Sequence, residues 1–168
     1  NIAIPDIEMT DEEKAREHQR EAAYIALDAA DKQFQSNLKN SPATQTYLHE
    51  TRSQTDETID LYHIGFAQND NQLVKEFAKR SYSFEVLTAA GLVGQTEKQY
   101  QYDRFRERVM LPFLDLSGKV IGFSGRYIGE DREQAKYVNT PDTLLFSKGK
   151  NLFGLFQARK HIVSADKA

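Results

Sequence analysis

The chain has 168 residues, 39% of them hydrophobic and 28% charged, with no cysteine and a formal net charge of −3. That length suits one domain with its own core, and the composition excludes collagen-like, disulfide-stapled and wholly disordered chains. Structural disulfides, thiolate zinc sites and cysteine nucleophiles are excluded with the cysteines, and no apolar run suits a membrane-spanning helix or a signal peptide.

Thr10 followed by Glu13 is a capping-box pattern, and Asp11 and Glu12 suit the positive end of a helix dipole. Ala23, Leu27, Ala30, Phe34 and Leu38 recur at spacings of three and four, which predicts a long helix from about Asp11 to Leu38. Ser41 and Pro42 read as the cap and first residue of a second helix carrying Tyr47 and Leu48. Thr55, with Asp56 and Glu57 behind it, opens a short third one. Tyr62 to Ala67 reads as a turn into a short extended piece. Asn69 or Asp70 then caps a helix through Leu73, Val74, Phe77 and Ala78. Ser83 caps another, carrying Phe84 and Leu87 and ending at Gly91.

From Tyr100 the period shifts toward strand. Arg108 to Phe113 and Lys119 to Tyr127, separated by the turn Asp115-Leu116-Ser117-Gly118, predict a β-hairpin. Gly122 and Gly125 inside the second strand mark a bulge or a place where another backbone or a ligand comes close. Tyr137 to Asn139 is a short strand broken by Thr140-Pro141-Asp142, and a last helix begins near Leu152 to Leu155 and runs to His161. The fold class is therefore α+β: N-terminal helices, then a small antiparallel or mixed sheet with hairpins, then a C-terminal helix. It is read as one domain, with a leading helix over 1–40 and an α+β lobe over 41–168. Because the first residue is Asn1 and not methionine, a longer parent protein is expected.

The common catalytic patterns are missing. Gly149-Lys150 lacks the earlier glycine of a phosphate-binding loop and is followed by Asn151. Gly122-Phe123-Ser124-Gly125 is one residue too short for a nucleophile elbow. His49-Glu50 has no second histidine four residues after the first, and His18, His63 and His161 stand alone. No metal site or self-contained active site is expected.

Charge, by contrast, is unevenly spread. Residues 1–72 hold 14 acids and 6 bases, whereas residues 73–168 hold 11 acids and 16 bases. A phosphate backbone senses the local field and not the chain total. In the basic half, cations alternate with aromatics: Tyr102, Arg104, Phe105, Arg106, Arg108, then Arg126-Tyr127, Lys136-Tyr137 and Lys148. Cations neutralise phosphates, and aromatic rings offer a surface to unpaired bases. On a strand Arg104, Arg106 and Arg108 would share one face as a positive stripe, so Arg108 joins the nucleic-acid-binding candidates.

The run Tyr102-Asp103-Arg104-Phe105-Arg106-Glu107-Arg108-Val109-Met110, with Pro112, Asp115 and Gly118, resembles the bacterial-type replicative DNA primase family. So do Val120 to Arg126, Lys136-Tyr137-Val138-Asn139-Thr140-Pro141, Phe146 to Gly149 and Leu152 to Leu155, with weaker echoes at Tyr47-Leu48, Arg52 and Ile64 to Ala67. The resemblance covers about Leu27 to Ile162. It implies the first lobe of a two-lobed RNA polymerase core that makes RNA primers on single-stranded DNA. The chain's last residues, Lys167 and Ala168, fall where a toprim lobe would begin, and this lobe alone is expected to be inactive. The family also has a zinc-binding domain and a helicase-binding domain, neither expected in this chain.

By the same resemblance, Lys136, Tyr137 and Lys148 line a cleft facing metals held by the toprim lobe. Arg126 is a further base of that cleft, Asn139 lies close to the nucleotide, and Arg52 stands near the mouth. Implied partners are single-stranded DNA template, RNA primer, nucleoside triphosphates and a replicative helicase, in a bacterial cytoplasm. The implied cofactors are magnesium or manganese in the toprim lobe and zinc in the zinc-binding domain. The sequence departs from the family at Ser53 and Ser124, where glycine is usual, at Thr140, where serine is usual, and in an acidic, longer stretch from Gly129 to Gln134. Two other readings stay open: the matching lobe of a primase–helicase fusion, and a non-enzymatic module that docks a partner through its acidic first helix.

Overall fold

Helix α1, Asp11–Lys39, starts at the expected capping box: the Thr10 hydroxyl accepts from the Glu13 amide, and the Glu13 carboxylate accepts from the Thr10 amide. Satisfying these otherwise orphaned amides fixes where the helix begins. Its buried stripe is the predicted one, Ala23, Leu27, Ala30, Phe34 and Leu38, joined by Ala26. The computed structural model describes residues 9–80 and 82–165, so the expected boundaries at Asn1 and at Lys167–Ala168 lie outside the described residues.

One carboxylate sits on the buried stripe. Asp31 is 4% exposed; its Oδ2 accepts from Gln35 Nε2 at 2.8 Å and lies 3.2 Å from His63 Nδ1. Burial pushes its pKa up to about 6, against the opposing pull of His63 and Gln35.

After α1 the chain turns back over short helices. These are α2, Pro42–Thr46, a π-helical turn at Tyr47–Thr51, and α3, Asp56–Leu61, capped by Thr55. The second helix, expected to carry Tyr47 and Leu48, ends at Thr46, and both residues lie on the π turn. Ser41 precedes Pro42 but bonds the Thr44 hydroxyl and caps no amide.

Four strands form an antiparallel sheet in the order β1-β4-β5-β6: β1 is Gly65–Ala67, β4 Arg108–Leu114, β5 Val120–Tyr127 and β6 Tyr137–Asn139. The β4–β5 hairpin is the predicted one, with Asp115 Oδ1 accepting from the Ser117 and Lys119 amides in the turn. Side chains alternate across the sheet. Met110, Gly125 and Val138 stand in one cross-strand row and, with Phe123, face α1 to make the main core. The Phe34 and Phe123 rings meet there edge to face at 5.3 Å. β1 crosses α1 at Gly65, where an added Cβ would lie 2.6 Å from that of Phe34.

The opposite face carries the row Phe66, Val109, Arg126 and Tyr137 across all four strands. One part is covered by Leu48, Ile59 and Ile64 from the short helices and the lead into β1. Another part is covered by the loop after β6, through Phe113 packing on Phe146 and Phe153. Gly122 lies beneath the Phe146 ring and Gly125 beneath Phe105 and Arg108, so both expected close approaches are to side chains. The sheet irregularity falls beside Gly122, where Ile121 has no partner on β4.

A second hairpin, β2 (Val93–Gln95) with β3 (Gln101–Asp103), was not predicted. It supplies the cap of helix α4, Gln72–Lys79. The buried Asp103 carboxylate accepts from the Leu73 and Val74 amides, while Asn71 Oδ1 accepts from the Asp103 amide. The cap position is thus Asn71 and not Asn69 or Asp70, because the capping carboxylate comes from 30 residues away. Helix α5, Phe84–Ala89, follows the Ser83 cap and stops before Gly91, at φ +72°. Helix α6 runs Leu155–Ser164, starting after Gly154 at φ +78° and extending past His161. With most helices ahead of a run of strands that pair only antiparallel, the architecture is α+β as expected.

Candidate nucleic-acid interface

Between the two covers of the second sheet face lies an open strip. Cross-strand pairing puts Arg126 beside Tyr137 and Ser124 beside Asn139, so all four side chains belong to it. Arg126 donates through Nε to the Tyr47 hydroxyl at 2.8 Å and through a terminal nitrogen to the Tyr137 hydroxyl at 2.9 Å. Its guanidinium also sits over the Tyr137 ring, 5.4 Å from the centroid. These bonds, Tyr47 first, raise the Arg126 pKa against a smaller opposing effect of burial. Among the described residues no carboxylate pairs with it.

Arg52 caps the π turn, its amide donating to the Tyr47 carbonyl and its carbonyl accepting from Gln54 Nε2. A pocket of about 180 Å³ opens here, floored by Leu48, Ile64, Val109 and Leu111 and walled by Tyr47, Arg52, Gln54, Arg126 and Tyr137. Ser53, at φ +51°, holds the left-handed backbone that directs the chain out of the turn. That conformation suits glycine and costs another residue roughly 1–2 kcal/mol. A glycine here, as the resemblance leads one to expect, would carry no such cost.

The structure therefore brings Arg52, Arg126 and Tyr137 to one pocket, with Asn139 half-buried one pair further along β6 and Lys136 exposed where β6 begins. The Lys136 carbonyl accepts from the Tyr127 amide, which anchors the backbone and leaves the side chain outward. Lys148 lies in the loop after β6, exposed, its amide donating to Asp142 Oδ1. Ser124 adds only a hydroxymethyl group to the open strip. Thr140 accepts from the Phe123 amide through its hydroxyl and turns its methyl toward Gly91.

Arg108 is not in this strip. It is 5% exposed and donates to the Gly125 and Ala135 carbonyls, with its guanidinium 5.2 Å from the Tyr127 ring centroid. Burial lowers its pKa. The expected stripe of Arg104, Arg106 and Arg108 does not form, because the chain leaves strand geometry after Asp103 and Glu107 adopts φ +52°. Arg104 is half-buried and Arg106 lies over Tyr102. Tyr47 is the residue of this site that sequence reasoning missed; its one signal was the Tyr47-Leu48 echo of the family pattern. Among the described residues no cluster of histidine, aspartate and glutamate could hold a metal, and the arginines, lysine and phenols of the strip do not fit one.

The family model for the N-terminal domain of the DNA primase catalytic core matches residues 33–159. The chain belongs to that family. The DNA primase of Escherichia coli K12 is 36% identical over 163 residues, which is 95% of this chain and 28% of that protein. A DnaG primase catalytic domain bound to single-stranded DNA superposes with a TM-score of 0.77 at 36% identity, over 87% of this chain and 45% of the other. The Aquifex aeolicus primase, comprising zinc-binding and RNA polymerase domains, gives 0.79 at 31% identity, over 88% and 36%. This primase-core domain thus spans well under half the length of the relatives it matches.

Proposed function

We propose that this chain is the N-terminal lobe of the RNA polymerase core of a DNA primase, as one domain over 1–168. Its open sheet strip binds phosphates of single-stranded DNA template or of an incoming nucleoside triphosphate. The observation that carries this reading is the meeting of Arg52, Arg126 and Tyr137 round one pocket, with no acid of the described residues paired to Arg126. Asn139 and Lys148 extend the same surface along β6 and its exit, while Lys136, exposed on the other side of the edge strand from Tyr137, reaches the ligand round that edge. Arg108 serves the scaffold.

Joining two ribonucleotides brings several negative phosphates together and needs no protein nucleophile. Cations on this lobe stabilise that charge and orient the strand, while magnesium or manganese on a second lobe supplies the Lewis acid. Zinc belongs to a template-reading domain elsewhere in the longer protein, and the contact with a replicative helicase to a separate domain. The RNA primer is the product of the longer protein, and the setting is a bacterial cytoplasm. Within the described residues no helix is long and apolar enough to cross a membrane.

The test is titration of the chain with a fluorescent single-stranded oligonucleotide. Binding is expected to be weak and salt-sensitive, with log K falling by about 0.7 per decade of salt for each phosphate neutralised. Replacing Lys136 and Lys148 together by alanine flattens that slope by about one to one and a half. An unchanged slope, or no binding at low salt, overturns the assignment.

A further inference from the structure

Arginines that must hold one direction are usually fixed by a carboxylate, which also cancels their charge. Arg126 is fixed differently. Its two described acceptors are phenolic oxygens, which orient the guanidinium without neutralising it. Of the five N–H donors of a guanidinium, Nε–H and one terminal N–H are used, and the others have no described protein acceptor. The two phenols come from different parts of the molecule. Tyr137 is the cross-strand neighbour of Arg126 on β6, whereas Tyr47 reaches over from the helical cover, 79 residues away in sequence. Tyr47 is also the first residue of the π turn, whose wider hydrogen bond runs from the Arg52 amide to the Tyr47 carbonyl. Such turns re-aim side chains that a regular helix would point elsewhere, and they are frequent at functional sites.

We propose that Tyr47 is a positioning residue: its hydroxyl, carried by the π turn, aims the still fully charged Arg126 guanidinium so that its free edge meets a phosphate. This rests on the phosphate-binding role proposed above. Tyr47 itself touches no phosphate. Its oxygen holds Nε, Tyr137 holds one terminal nitrogen, and the remaining donors point together toward the ligand, where a planar fork fits two phosphate oxygens.

The deciding experiment is a double-mutant cycle of Tyr47→Phe and Arg126→Ala, read by binding of a fluorescent single-stranded oligonucleotide and, separately, of ATP. Tyr47→Phe keeps the packed ring and removes only the oxygen. It is expected to weaken binding about two- to tenfold in the wild-type background, and to have no effect once Arg126 is alanine. The ligand that shows this coupling is the one whose phosphate Arg126 meets. An equal loss in both backgrounds, or no loss for either ligand, overturns the proposal. Nitrogen-15 relaxation of the Arg126 Nε–H tests the positioning without any ligand. Nε is expected to be rigid in the wild type and mobile in Tyr47→Phe, and equal rigidity in both overturns the proposal. Failure of the wild type to bind either ligand overturns the phosphate-binding role instead, and relaxation still decides what Tyr47 does to Arg126.

Discussion

Arg108 and Arg126 stand on adjacent strands of one hairpin and face opposite sides of the sheet. On the α1 side the surroundings are closed, so Arg108 spends its guanidinium on the Gly125 and Ala135 carbonyls. On the other side the covers leave a gap, and beyond its two phenols Arg126 has donors with no acceptor among the described residues. The same residue type is scaffold on one face and, on the other, a cation held toward an open strip. What separates them is which neighbours supply acceptors, and how much charge those acceptors leave available.

The comparison breaks most visibly at the closed face. Phe123, 0% exposed against Phe34 and Phe105, is expected to cost about 3–5 kcal/mol when replaced by alanine, measured by urea unfolding. A loss below 1 kcal/mol would mean that this face is loosely packed.

The two arginines give the sharper contrast. Arg108→Ala is expected to lose about 1.5–3 kcal/mol of stability, since it strands two main-chain acceptors. Arg126→Ala should stay within about 0.5 kcal/mol of wild type and instead reduce the salt dependence of DNA binding by about 0.7. Matching stability losses in the two variants would erase the distinction between the faces.

The gentlest probe is pH. Asp31 binds its proton more tightly folded, at about 6, than its ordinary 3.8. Between those values the native state carries more protons than the unfolded chain, so this group's contribution to stability is complete below about 4 and is lost as pH rises through 6. Unfolding curves across that window should show the decline, and Asp31→Asn should flatten it. A decline of the same steepness in the variant would assign it to another group.

Much of this was legible locally. The Thr10–Glu13 box, the stripe from Ala23 to Leu38, the Ser83 cap and the Asp115 turn each depend on contacts a few residues apart, and sequence spacing encodes such contacts directly. Failures came where a distant residue decides. The cap of α4 comes from Asp103, the β2–β3 hairpin is needed to place that carboxylate, and the arginine stripe is interrupted by the left-handed backbone of Glu107. At the site, resemblance pointed to Arg52, Arg126 and Tyr137, which the fold then brought to one pocket. The Tyr47–Arg126 bond was invisible because two layers must pack before a residue on the π turn can meet one on β5.

Gly65 bears on how firmly that pocket is held. Where β1 crosses α1, backbone meets backbone, and an added Cβ would collide with the Phe34 Cβ and main chain. The separation of the two layers is therefore set there by covalent geometry, with no rotamer to act as a cushion. A side chain could yield by rotating about χ1; two main chains in contact cannot. The sheet that carries the strip is thus mounted on a hard stop, a base that does not recoil when its far face is loaded.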